Sequence, residues 1–175
     1  MIPNRAKWIA GLGLSLFGSV AYAVTLNAFM EEAAQQSVFQ TESAKIALQK
    51  SQSPEVKDFA HQIIASKAQL YGKLKTLGEQ LHMNVPTEAS LTGKAKQMRL
   101  ESREDSFDRI YIDSQVQALE QQVFLFKKEA MSSEKPELKW FAESALPDIL
   151  KQERTVKSLQ DKLKPSAGRL RPTKP

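Results

Sequence analysis

The sequence contains no cysteine. A chain without thiols makes no disulfide framework, thiolate zinc site, cysteine-ligated iron–sulfur cluster or cysteine nucleophile. A bacterial lipid anchor, which is built on a cysteine, is excluded as well. Histidine occurs twice, at His61 and His82, which leaves little room for a histidine-rich metal site or for more than one histidine base. Seven glycines and eight prolines in 175 residues are too few for a collagen-like or low-complexity chain. No Gly-x-Ser-x-Gly elbow, Walker loop, dinucleotide fingerprint or His-Glu-x-x-His pattern occurs. What is present is enough apolar residue, 41%, for a core, in a length that fits one domain. No catalytic constellation is legible, so a non-enzymatic protein without a cofactor or bound metal is expected.

The first 23 residues read as an export signal. Arg5 and Lys7 precede an uncharged run from Trp8 to Ala23, shorter than the roughly 20 residues a membrane-spanning helix needs. The run ends in Ala21-Tyr22-Ala23, a small-x-small site of the kind signal peptidase accepts, so cleavage is expected after Ala23. The alternative is an uncleaved anchor extended into Val24–Phe29, against which Asn27 interrupts the apolar run. The expected location is the periplasm, with outer-membrane association as a further option. Losing Arg5 and Lys7 leaves 23 basic against 20 acidic groups, and four of the basic ones, Lys164, Arg169, Arg171 and Lys174, fall in the last twelve residues. The body is therefore near neutral, which argues against nucleic-acid binding. Residues 165–175 form a basic, Pro-containing tail expected to be disordered, able at most to touch anionic membrane or envelope polymer weakly.

Between these ends, residues 24–164 read almost wholly as helix. Ser53-Pro54-Glu55 supplies an N-cap, a first-turn proline and an early acid. Behind it Val56, Ala60, Ile63, Lys67, Leu70, Leu74, Leu77 and Leu81 alternate four and three apart, a heptad seam with one charge in it. A third long helix carries Ile112, Val116, Leu119, Val123, Phe126 and Ala130 inward; a fourth, opened by Pro136, carries Leu138, Phe141, Ala145, Ile149, Gln152, Val156, Leu159 and Leu163. The first, from about Asn27 to Lys50, is less apolar, with Phe29, Ala33, Gln36, Gln40, Ala44 and Ala47 on one face. Thr87–Arg103 reads as a connecting arm with a short helix. No strand alternation is visible. The expected fold is all-α, a four-helix antiparallel bundle with a short connecting helix between the second and third long helices.

Four segments carry a family resemblance: FMEEAAQQ (Phe29–Gln36), SPEVKDFAHQII (Ser53–Ile64), FDRIYIDSQVQA (Phe107–Ala118) and LKWFAESALPDIL (Leu138–Leu150). In this order behind an export signal they resemble the bacterial domain of unknown function family 4142, often described as predicted outer-membrane proteins and grouped with ferritin-like bundles. The resemblance runs from about Phe29 to Leu163. It implies an exported helical bundle and no established reaction. It also implies a histidine eight residues after Phe59, another twelve after Phe107 and a third after Leu146-Pro147, positions held here by Lys67, Leu119 and Gln152. An acid common in the family's first helix aligns with Gln40, with Glu42 close by.

A ferritin-like di-iron site needs inward carboxylates and two Glu-x-x-His pairs; only Glu79-x-x-His82 is present, off the inward stripe, and a surface role is expected for it. His61 reads as a partly exposed structural histidine. Asp108, in the cluster with Tyr111 and Asp113, suits the positive end of the third helix without any catalytic role. The informative feature is an interior polar set of Lys67, Gln40 and Gln152. A buried ammonium costs several kcal/mol unless it is paired or deprotonated. The two amides are expected to accept from it, with Glu42, Glu120 or Glu153 as counter-charge. One reading is a pocket for a small anion or carboxylate, or the relic of a metal site. The others are a polar layer that sets helix register, or Lys67 reaching to the edge of the bundle. Function is therefore expected to be binding of an envelope partner or small ligand. The alternative is a ferritin-like metal-binding or redox protein with a degenerate site.

Overall fold

A computed structural model describes residues 27–104 and 106–164, whose regular elements are helices. Five helices follow in order: α1 (Ala28–Lys50), α2 (Pro54–Leu81), α3 (Leu91–Glu101), α4 (Phe107–Ser132) and α5 (Pro136–Leu163). The expected export signal, with Ala21 and Ala23, and the expected tail at 165–175 both lie outside the described residues. No described helix is long and apolar enough to cross a membrane.

The helix ends follow from local chemistry. Asn27 Oδ1 accepts from the Met30 amide at 3.0 Å to open α1, and Ser53 Oγ accepts from the Val56 amide at 3.3 Å ahead of Pro54. Each such cap is worth about 1 kcal/mol, because the first turn's amides have no partner in the helix itself. Ser90 Oγ does the same for Gly93 in α3. The end of α2 is set by His82, whose left-handed φ of 53° turns the chain while its amide donates back to the Gly78 carbonyl. The Met83 amide donates to that carbonyl too, at 2.8 Å. Ser106, also left-handed at φ 59°, precedes α4 without a side-chain cap.

Gly78 is required by this turn. A Cβ there would lie 2.4 Å from Val85 Cγ2 and 3.0 Å from the Met83 carbonyl oxygen. Alanine gains up to about 1 kcal/mol of helix propensity, but crowding of this kind costs about 1–3 kcal/mol. Gly78→Ala is therefore expected to lose about 1 kcal/mol net, read as a lower urea midpoint. A gain in stability would show that the 83–85 turn yields freely.

Packing is uneven between pairs. The α4/α5 and α1/α2 pairs are broadly joined, α1 also packs on α4 and α3, and α2 meets α5 along a much thinner seam. Apolar side chains gather in two aromatic groups: Phe29, Phe126 and Phe141 in one, Phe59, Phe107 and Tyr111 in the other. Most of the expected stripes are buried, with instructive exceptions. Gln36 is only half-buried and donates to Glu32 at 3.0 Å, because the small Ala33, Ala34 and Ser37 turn the inward face of α1 one position on. Leu77, Leu81, Ala145 and Leu163 are half-buried rather than buried. Leu77 and Ala145 border the thin α2/α5 seam.

Candidate functional site

Four polar residues lie near the middles of their helices: Gln40 on α1, Lys67 on α2, Gln122 on α4 and Gln152 on α5. Lys67 is 1% exposed and does not snorkel. Its Nζ donates to Gln122 Oε1 at 2.5 Å, and Gln40 Nε2 donates to the same oxygen at 3.4 Å. Gln40 and Gln122 are fully buried, while Gln152 is half-buried.

The expected acceptors were Gln40 and Gln152; the acceptor found is Gln122. Gln40 joins the network as a donor. Gln152 is placed beside Lys67 along a cleft of about 240 Å³ between α2 and α5, with its Oε1 buried and unpartnered. None of the expected counter-charges reaches Lys67. Glu42 pairs with Lys45 at 2.7 Å, and Glu120 and Glu153 both pair with Lys157 at 2.8 Å. With no carboxylate beside it, burial alone pushes the Lys67 ammonium down from 10.5 to about 7.

Sequence reasoning missed Gln115, Gln122 and Tyr111, all fully buried on α4. Their signal was present: Tyr111, Gln115, Gln122 and Phe126 fall four, seven and four apart, a second inward row beside Ile112, Val116, Leu119 and Val123. Glutamine in such a row reads as solvated face, which hid it. Both Gln115 amide atoms, Gln40 Oε1 and the Tyr111 hydroxyl are buried without a protein partner, and burial drives the Tyr111 hydroxyl pKa strongly upward. Hydrogen-bonding capacity therefore exceeds what the layer itself uses.

The described residues around Lys67 do not suit a metal. His61 and His82 are both exposed, Lys67 and Gln152 stand where the resemblance implies histidine, and an ammonium at the centre of the layer repels a cation. Among the described residues no three of His, Asp, Glu or Cys converge. Glu79 is exposed as expected, and His82 serves as the α2 cap.

A family profile described as "Domain of unknown function (DUF4142)" matches residues 18–159, and the chain belongs to that family. No curated protein matches it. Similar solved structures include the DUF305 fragment from Deinococcus radiodurans, 14% identical with a TM-score of 0.67, aligned over 77% of this chain and 93% of that one. CopM in the Cu(II)-bound form is similar as well, at 20% identity and a TM-score of 0.65, over 77% of this chain and 94% of its own. At these identities the likeness is one of fold.

Proposed function

We propose that this chain is an exported, non-enzymatic binding protein of the bacterial cell envelope, a ferritin-like antiparallel four-helix bundle that holds a small anionic ligand at the layer around Lys67. The observation that carries this reading is a buried lysine that no carboxylate pairs, lining an α2/α5 cleft together with Lys73 and Lys151. Such a residue costs stability, and an anion in the cleft supplies the missing charge. The fold likeness to CopM raises copper as a ligand, but the donor set around Lys67 supports an anion rather than a cation.

The test is made on protein recovered from the periplasm of an expressing bacterium, its intact mass expected to begin at Val24. Acetate, succinate and inorganic phosphate are then screened by thermal shift against the chain and Lys67→Met. At least one anion is expected to raise the melting temperature of the parent and leave the variant unmoved. No shift with any of them, or an equal shift in both proteins, overturns the reading. Stoichiometric copper uptake with no anion effect would replace it with a metal-binding one.

A further inference from the structure

The α2/α5 seam is open along most of its length. Three clefts follow one another on it, of about 910, 240 and 460 Å³. The first two share Gln69, Lys73 and Ser144, and the second and third share Gln62 and Thr155, so they form one groove. Its chemistry changes along its course. The middle is cationic, with Lys67 on the floor, Lys73 and Lys151 on the walls and Asp148 the single acid. The widest stretch is apolar: Leu77 and Phe141 line it and Trp140 stands 70% exposed beside them. Gly72 leaves its floor bare, since a Cβ there would meet nothing within 4 Å.

Resting on the binding function proposed above, we infer that the ligand is an amphiphilic carboxylate of medium chain length. Its head group sits at Lys67, Lys73 and Lys151, and its alkyl chain runs toward Leu77 and Trp140. Charge complementarity argues for the head: three cations face one acid, and only one of the Lys67 N–H groups is taken, by Gln122. Gln152, whose oxygen has no partner, borders the same stretch and can turn its amide N–H toward a carboxylate. Apolar area argues for the tail: an indole and a leucine left against water on a helical bundle gain by being covered. The distances agree, because Lys67 and Leu77 are ten residues apart on one helix, about 15 Å at 1.5 Å per residue, the reach of an extended medium-length alkyl chain.

The experiment titrates the purified chain with dodecanoate, butyrate and dodecyltrimethylammonium below their micelle concentrations, by calorimetry and by Trp140 emission, with Trp140→Phe as the spectral control. Dodecanoate is expected to bind one to one, to shift Trp140 emission to the blue, and to bind at least about tenfold more tightly than butyrate. Gly72→Leu, which fills the apolar floor, should erase the preference for the longer chain. Lys67→Met should weaken dodecanoate at least about tenfold while keeping its helical circular dichroism. Equal affinity for butyrate and dodecanoate overturns the tail assignment and leaves the Lys67 anion site standing. Equal binding of dodecyltrimethylammonium marks mere apolar adsorption and overturns the inference. No dodecanoate binding also overturns it, and the acetate, succinate and phosphate screen then decides whether the Lys67 reading falls with it. A dimer that buries Trp140 without dodecanoate would assign the groove to a second copy instead.

Discussion

Lys67→Met is expected to stabilise the protein by about 1–4 kcal/mol at neutral pH, the range found when buried ionic groups give way to apolar side chains of similar volume. Lys67 is 1% exposed and donates to one amide oxygen, Gln122 Oε1. An unfolded lysine holds its proton up to about pH 10.5, but the folded one only to about 7. Between those values the unfolded chain binds more protons, so stability rises with pH across that window. Below pH 7 both states are charged and the folded state carries the whole penalty. A gap of 10.5 against 7 corresponds to about 5 kcal/mol at 1.36 per unit, part of which the Gln122 bond offsets. Above pH 10.5 both states are neutral and the penalty vanishes. Urea unfolding of parent and variant from about pH 6 to about pH 10 checks this. The advantage of the variant should be largest at the acid end and shrink steadily toward the alkaline one. A pH-independent difference would mean that the ammonium reaches water.

That penalty also explains which parts of the site were legible in the sequence. Lys67 stands out as the one charge in a heptad seam, and heptad position alone places it inside. Its neighbours could not be read the same way. Gln122 lies on the flank of the α4 stripe, three residues after Leu119 and four before Phe126, and only the rotation of α4 against α1 and α2 brings its oxygen to the ammonium. The carboxylates were misjudged because charge pairing on helices is settled locally: Glu42 and Glu153 find lysines three and four residues away, and such neighbours on the same face are always within reach. The start of α2 was readable because side chains make it, at Ser53-Pro54. The end of α2 was not, because the left-handed His82 turns the chain there in place of the glycine that usually marks such an end. The open groove was the least legible feature. A row containing Leu74, Leu77 and Leu81 predicts burial of all three, yet α2 and α5 are so thinly joined that only Leu74 is closed off.

Phe126→Ala is expected to cost about 3–5 kcal/mol, the range for removing a buried aromatic ring. Phe126 is fully buried, with the Phe29 ring edge-on at 5.1 Å and the Phe141 ring at 6.1 Å. Those rings belong to α4, α1 and α5, so a single side chain holds together helices from both broadly joined pairs. Phe29 and Phe141 are themselves 6.3 Å apart, and with both locked by other contacts neither can collapse into the space a phenyl group leaves. Phe124, two residues earlier on the same helix, supplies the control. It is 71% exposed, and Phe124→Ala should change stability by no more than about 0.5 kcal/mol. Urea unfolding of both variants measures the contrast between two identical side chains at different depths. If Phe126→Ala is as mild as Phe124→Ala, the aromatic group does not join α1 to the α4/α5 pair. The alignment of Gln40, Lys67 and Gln122 into one layer would then lack its anchor, because the same α1/α4 contact sets the depth at which the amides of those two helices meet.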